Sequence, residues 1–231
     1  MLGLGNSVSA SQYPGGEWSP LDESSCELWA QKNVGLTLNE SAISGWNDQS
    51  GNDNHLVQAN NAHQPSGHTD GAVRLDGGTS NQHFDLTSQI TLGGAFVVGM
   101  RLFPAGTPSN ECLFGDTTTT NHFVRMSSAS VLHFKNSSTL KGLSLNGGTT
   151  FGDGYLLINR DASDVITLYI DGVLQTAAIT AYSSGDVLID AIGARGSTVN
   201  EFGGTMSEVL MFSASSADLI SNVNTYLSTI A

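Results

Sequence analysis

The segment from Trp46 to His55 constrains the fold more than any other part of this sequence. It reads Trp-Asn-Asp-Gln-Ser-Gly-Asn-Asp-Asn-His, a large aromatic residue followed by residues that favour turns. Gly51 can adopt a positive φ angle at little cost, and Asn and Asp side chains hydrogen-bond to nearby backbone groups. We therefore predict a tightly built loop between two strands. Its structural motif consists of Trp46, Asp48, Gly51, Asn52 and Asn54.

Short apolar runs separated by turn residues fill most of the remaining chain and predict an all-β fold. The run Ala95–Phe103 predicts a central strand that is buried on both faces or lies in the core of the sandwich. Asp171-Gly172 predicts a two-residue hairpin turn that leads into a strand at 173–177. Further strands are predicted at 28–30, 56–57, 73–75, 83–86, 112–114, 122–124, 131–134, 155–159, 165–170, 187–192 and 206–212.

The last part of the chain changes from strand-like to helical spacing. Its apolar residues are Leu219, Ile220, Val223, Leu227 and Ile230. This spacing predicts a short amphipathic helix at 216–230 that packs on the sandwich. Ser215 precedes Asp218 by three residues, which is close to a capping box and makes Ser215 the expected N-cap.

A chain of 231 residues fits one large β domain, which we place at 21–231 with its closing helix. Residues 1–20 are flexible in composition and predict an N-terminal arm. We expect the arm to bind a neighbouring subunit or its own domain through a few apolar anchors. These anchors are Leu2, Leu4, Val8, Tyr13 and Trp18. Trp29 and Trp46 lie in apolar strand contexts and are predicted to be core residues.

Several motifs occur in an order that resembles concanavalin A-like jelly-roll domains of the laminin G and pentraxin type. Trp46-x-Asp-x-Ser-Gly-Asn-x-Asn54 is similar to their early loop, Phe96–Arg101 to their central strand, and Ile166–Gly172 to their recurrent strand and turn. The resemblance implies an antiparallel two-sheet β-sandwich. The layout, with its Met-Leu-Gly-Leu-Gly start, is also similar to virion structural proteins of marine tailed bacteriophages.

Charge excludes some partners. Eight basic and 21 acidic residues give a net charge of −13, which disfavours nucleic acid and anionic membrane surfaces. No run approaches the roughly 18 apolar residues of a membrane helix, and Met1-Leu-Gly-Leu-Gly5 does not resemble an export signal.

The two cysteines, Cys26 and Cys112, lack the spacing of a zinc site. We expect two free thiols, and a disulfide between them is the alternative that the sequence leaves open.

Motifs for catalysis are missing from the sequence. It contains no Glu-x-Asp-x-Glu of the laminarinase-like glucanases, no Gly-x-Ser-x-Gly and no His-Glu-x-x-His. Calcium is a more serious candidate than zinc, because the lectin and laminin G domains that the chain resembles often bind it. Its possible ligands are Asp48, Asn52, Asp53 and either Asp153 or Asp161. We favour side chains that close their own turns, and so expect no metal and no cofactor.

Two function hypotheses follow. The first is a non-enzymatic bacteriophage virion protein, assembled in the host cytoplasm, that decorates or cements a capsid by binding neighbouring subunits or copies of itself. The alternative is a carbohydrate-binding module, a tail adhesin or lectin that recognises host polysaccharide. Only three tryptophans are present and aromatic residues make up 7% of the chain, so the sequence shows no obvious sugar-stacking patch.

Overall fold

The computed structural model describes residues 18–67, 70–78, 80–137, 139–178, 180–181, 184–195 and 200–230. Short 3₁₀-helices lie at Pro20–Asp22, Asn61–His63 and Thr176–Ala178, and one α-helix, α1, spans Ala217–Thr229. The strands are β1 (Cys26–Gln31), β2 (Leu36–Asn39), β3 (Ala42–Trp46), β4 (Leu56–Val57), β5 (Ser66–Gly67), β6 (Val73–Asp76), β7 (Phe84–Leu92), β8 (Phe96–Pro104), β9 (Glu111–Gly115), β10 (Phe123–Ser128), β11 (Val131–Asn136), β12 (Thr139–Ser144), β13 (Gly154–Arg160), β14 (Val165–Ile170), β15 (Val173–Leu174), β16 (Thr180–Ala181), β17 (Val187–Ile192) and β18 (Gly203–Phe212).

These strands form two packed antiparallel layers, which confirms the predicted all-β sandwich of jelly-roll type. The first layer has the order β1, β18, β8, β13, β14, with β15 and β16 along the edge of β14. The second has the order β4, β7, β17, β9, β10, β11, β12. Strands β2, β3, β5 and β6 connect the layers along one side, because β3 pairs with β4 and β5, and β6 pairs with β18.

The main core lies between the two layers, and β8 shows how it is built. Phe96, Val98 and Met100 point into this core, where Phe96 stacks on Phe134 of β11 with ring centroids 6.2 Å apart. Val97, the residue between them, is buried on the opposite face against the helix. Residues 96–100 of β8 are buried on both faces, which confirms the prediction for this part of the strand, whereas Phe103 near its end is exposed.

A second apolar cluster lies between α1 and the outer face of the first layer. The helix contributes Leu219, Val223, Tyr226 and Leu227, and the sheet contributes Cys26, Trp29, Val97, Leu157, Leu210 and Phe212. The predicted helix is thus confirmed, but its predicted cap is wrong. Ser216 is the N-cap and accepts a hydrogen bond from Leu219 N at 3.0 Å, because the Ser215 hydroxyl donates to Asn159 Oδ1 instead.

The hairpin turn after β14 forms as predicted, but the strand that follows is shorter. Asp171 and Gly172 have φ angles of 49° and 75°, as a type I′ turn requires. Pairing ends at Leu174, so the predicted strand at 173–177 is wrong in its second half. Asn146 Oδ1 accepts a hydrogen bond from Ala177 N at 3.1 Å, and the chain turns into a 3₁₀-helix there.

Replacing Gly99 by valine should lower the free energy of unfolding by about 1–3 kcal/mol, because overpacking displaces α1. A Cβ atom at Gly99 would lie 2.8 Å from Val223 Cγ1 and 2.9 Å from Leu227 Cδ1. Urea unfolding followed by circular dichroism measures the change. Gly142→Val in β12 is the matched control, since a Cβ atom there has no neighbour closer than 3.8 Å. Equal losses in both variants would contradict close packing of the helix on Gly99.

Candidate functional site

The loop motif around Asp48 uses its polar groups internally. Asp48 Oδ1 accepts hydrogen bonds from Trp29 N at 2.9 Å and Ser50 N at 2.8 Å. Asp48 Oδ2 accepts from Ser50 Oγ at 2.7 Å and Asn54 N at 3.1 Å. Trp46 is buried in the main core beside Phe84. The carboxylate of Asp48 therefore holds the loop closed and leaves few lone pairs for another ligand.

The amides of the same motif tie the loop to β1. Asn52 Nδ2 donates to Cys26 O at 2.6 Å, and Asn54 Nδ2 donates to Glu27 O at 2.8 Å. Gly51 has a φ of 91°, the left-handed conformation expected of glycine in such a turn. These contacts give the loop motif a structural role at the edge of the first layer.

Two of the other candidate calcium ligands, Asp153 and Asp161, have partners elsewhere. Asp153 Oδ1 accepts a hydrogen bond from Arg101 at 3.1 Å, and Asp161 Oδ1 accepts from Ser163 N and Val165 N in its own turn. Asp53 is exposed. Among the described residues, no three His, Cys, Asp or Glu side chains are grouped so that they could hold one ion.

The two cysteines are free, which answers the question of their pairing. Both are buried, Cys26 in β1 of the first layer and Cys112 in β9 of the second. Burial, the largest cause in each case, raises the pKa of both thiols to about 12, so they are protonated at neutral pH. They therefore act as small apolar groups in the two layers.

Of the predicted arm anchors, Leu2, Leu4, Val8 and Tyr13 lie outside the described residues. Trp18 packs on its own domain, with ring centroids 6.2 Å from Phe212 and 6.1 Å from Tyr226, and its Nε1 donates to Glu23 Oε1 at 3.2 Å.

An open cleft lies on the outer face of the first layer, where α1 no longer covers β8 and β18. Its volume is about 200 Å³. Outward positions of β8 change from apolar residues under the helix to Arg101 and Phe103, which is 51% exposed. The complete lining is Asp70, Arg101, Leu102, Phe103, Asp153, Thr205 and Ser207.

Strand pairing places the polar groups of this cleft. Thr205 of β18 lies opposite Phe103, and the register shifts between Met206 and Glu208, which makes Ser207 the extra residue of a bulge. Arg101 pairs with Asp153 across the cleft, and Asp70 forms an ion pair with Lys32 Nζ at 3.3 Å. The result is an aromatic face surrounded by planar charged groups and hydroxyls.

Sequence reasoning missed this cleft because it considered tryptophans as sugar platforms and treated Phe103 as the end of a buried strand. The available signal was Arg101, which interrupts the apolar run two residues before Phe103. Alternation along a strand puts Arg101 and Phe103 on the same face, so a polar residue there indicates that this face becomes exposed.

A buried carboxylate supports the sheet beside the cleft. Glu208 of β18, paired with Arg101 in the sheet, has no exposed surface. Its Oε1 accepts hydrogen bonds from Trp29 Nε1 at 2.6 Å and the Tyr226 hydroxyl at 2.5 Å, and its Oε2 accepts from Lys32 N at 3.1 Å. Burial raises the pKa of Glu208 to about 7, although these hydrogen bonds and the nearby Lys32 lower it. Glu208 thereby joins α1, β1 and β18.

No protein-family model matches the sequence, and no curated protein sequence does so. Solved structures do share its fold. Domain 4 of AbnA, a GH43 extracellular arabinanase from Geobacillus stearothermophilus in complex with arabinotriose, has a TM-score of 0.56 at 13% identity, covering 87% of this chain and 98% of that chain. A structure of botulinum neurotoxin type C, whose cell entry is described as dependent upon interaction with two ganglioside molecules, has a TM-score of 0.59 at 12% identity, covering 89% of this chain and 51% of that chain.

A third match is the binding domain of Paraclostridial Mosquitocidal Protein 1, with a TM-score of 0.54 at 14% identity, covering 90% of this chain and 52% of that chain. The chain thus spans about half the length of the two toxin chains and nearly all of the arabinanase domain. At these identities the similarity shows the fold alone. The chain is a jelly-roll β-sandwich of the architecture found in these arabinanase and toxin structures. Within its described part, no helix has the length and apolar character needed to cross a bilayer.

Proposed function

We propose that this chain is a non-enzymatic carbohydrate-binding domain that holds a glycan in the cleft around Phe103. The observation that carries the proposal is the half-exposed Phe103 ring in a cleft of about 200 Å³ that also contains carboxylate, guanidinium and hydroxyl groups. An aromatic face packs on the apolar face of a sugar ring, while the surrounding polar groups hydrogen-bond to its hydroxyls.

The charged groups of the cleft favour binding over hydrolysis. Asp153 is paired with Arg101, and Asp70 is paired with Lys32. A retaining or inverting glycosidase needs one protonated carboxylic acid and one free carboxylate on either side of the bond that breaks. Carboxylates that each have a cation partner are instead suited to accept hydrogen bonds from sugar hydroxyls.

The comparisons support glycan binding better than capsid decoration. The arabinanase domain was solved with arabinotriose, and the neurotoxin is described as interacting with gangliosides. The virion hypothesis has no comparable support, because these matches come from a glycosidase and toxins. Capsid or tail partners and a location in the virion therefore stay untested expectations.

Phe103→Ala should weaken glycan binding at least tenfold while leaving the fold intact. The substitution removes the apolar platform, and a loss of about 1.4 kcal/mol is sufficient for this factor. A glycan array first identifies an oligosaccharide that the wild-type chain binds, and isothermal titration calorimetry then measures its dissociation constant for both proteins.

Leu140→Ala is the matched control, because Leu140 is 48% exposed on β12 of the other layer. We expect its affinity to stay within twofold of the wild type. Absence of binding to every glycan on a broad array, or equal losses in the two variants, would refute a site at Phe103.

A further inference from the structure

Three positive side chains surround one phenylalanine on the outer face of the second layer. The Phe123 ring centroid lies 4.4 Å from Arg195 Cζ, 5.1 Å from Arg125 Cζ and 5.8 Å from Lys135 Nζ. We call these four residues the Phe123 cluster. Three of the eight basic residues of a chain with net charge −13 are therefore gathered at one place.

The sheet builds this cluster from four separate segments. Phe123 of β10 lies opposite Lys135 of β11 on one side and Gly115 of β9 on the other. A Cβ atom at Gly115 would lie only 2.8 Å from Arg195 Cβ and 3.2 Å from Phe123 Cβ. The glycine thus leaves the space in which Arg195 approaches the ring. Arg125 is two residues beyond Phe123 and shares its face of the strand.

The positive charges of the cluster lack acidic partners within the described residues. No carboxylate there forms an ion pair with Arg125, Lys135 or Arg195. Arg195 Nε is buried without a hydrogen-bond partner, although one terminal nitrogen of Arg195 donates to Asn200 Oδ1 at 2.9 Å. Lys135 Nζ donates to the carbonyl oxygen of Thr120 at 2.8 Å.

Two titratable side chains, His133 and Glu201, lie near the cluster without forming an ion pair with it. Arg125 donates to His133 Nδ1 at 3.2 Å, and burial together with the charge of Arg125 lowers the pKa of His133, which keeps that ring neutral. Glu201 lies near the same buried Cys112 thiol as both arginines, but among the described residues it forms no ion pair with either of them. Like charges held close together without counterions raise the energy of the empty site, and a bound anion offsets that repulsion.

We propose that the Phe123 cluster binds a single oxyanion, the carboxylate or sulfate group of a small acidic ligand. Guanidinium groups present paired N–H donors that match the two oxygens of a carboxylate or sulfate. The net charge of −13 repels long polyanions, so the site accommodates one anionic group and not a phosphate backbone. This site lies on the layer opposite the Phe103 cleft and does not depend on the proposed glycan binding.

Nuclear magnetic resonance titration of the full ¹⁵N-labelled chain tests the proposal. Sodium sulfate and sodium glucuronate are the probes, glucose is the neutral control, and sodium chloride keeps the ionic strength constant. We expect saturable shifts at Gly115, Phe123 and Arg125 with either anion and none with glucose. Tighter binding of glucuronate identifies an acidic sugar as the source of the anion, and tighter binding of sulfate identifies a sulfate group.

Variants separate this site from general charge effects. The double variant Arg125→Gln, Arg195→Gln should weaken anion binding at least tenfold, whereas Arg74→Gln, at an exposed arginine of β6, should stay within twofold. Phe103→Ala should leave anion binding unchanged, which distinguishes this site from the glycan cleft. Absence of localised shifts with both anions in the wild-type chain, or equal weakening by Arg74→Gln, would overturn the proposal.

Discussion

Replacing Asp48 by alanine should lower the free energy of unfolding by about 3–5 kcal/mol, because a buried carboxylate with four donors is lost. Two of those donors, Trp29 N and Asn54 N, make buried hydrogen bonds to Asp48 and would lose that partner in the variant. A hydrogen bond to a charged group contributes about 1.5–3 kcal/mol, and an unpaired buried donor costs about 1–3 kcal/mol. Urea unfolding at equilibrium, followed by tryptophan fluorescence, measures the difference.

Asp53→Asn in the same loop is the matched control. The side chain of Asp53 is 89% exposed, and its φ of 58° is a conformation that Asn also tolerates. We expect a change within about 0.5 kcal/mol for this surface substitution. A loss below 1 kcal/mol for Asp48→Ala would show that water replaces the carboxylate and that the loop closes without it.

The stability of the fold should fall as pH rises from about 4.5 to about 7, and Glu208 should account for a large part of this fall. Its pKa is about 7 in the folded chain, whereas the ordinary value is 4.5. The folded state therefore binds the proton more tightly than the unfolded state. The resulting stabilisation is complete below pH 4.5 and is lost as pH increases through 7. A difference of about 2.5 pH units corresponds to about 3 kcal/mol.

Glu208→Gln tests this dependence, because glutamine has a similar shape and does not titrate. The variant should be less stable at pH 4, because the amide nitrogen of glutamine cannot accept a hydrogen bond. In one orientation this nitrogen faces the donor Lys32 N, and in the other it replaces the oxygen that accepts from Trp29 and Tyr226. The difference in unfolding free energy between wild type and variant should shrink or reverse by pH 8. Comparing the two proteins cancels the titration of His83, Glu111 and Asp190, whose pKa values are also raised. A difference that is constant from pH 4 to pH 8 would contradict a raised pKa at Glu208.

Some strands could not be predicted because their own residues carry a weak signal. β2 reads Leu-Thr-Leu-Asn and β12 reads Thr-Leu-Lys-Gly-Leu-Ser, and both leave much of their surface exposed. Each is held by pairing with a neighbour, β2 with β3 and β12 with β11. Backbone hydrogen bonds to a formed sheet stabilise a strand whose side chains bury little, and apolar periodicity does not record that contribution.

The N-cap of α1 shows a similar limit at the scale of one hydroxyl. Ser215 and Ser216 are both suitable N-cap residues by type, but only Ser215 stands three residues before Asp218, so the sequence favours Ser215. Asn159 lies 56 residues earlier on β13 and accepts the hydrogen bond of Ser215, which leaves the cap to Ser216. A contact between distant segments therefore decided which residue begins the helix.

The local patterns of this chain determined its all-β class, the burial of residues 96–100 of β8 on both faces, the Asp-Gly hairpin turn and the closing amphipathic helix, because each depends on residues close together in sequence. Tertiary structure alone decided the two candidate sites. The Phe103 cleft joins β8 to Thr205 and Asp70, and the Phe123 cluster joins β10 to Arg195. Two features set which side chains meet at the surface: the pairing of strands far apart in sequence, and the point at which α1 stops covering β8 and β18. Neither can be deduced from the local spacing of residues.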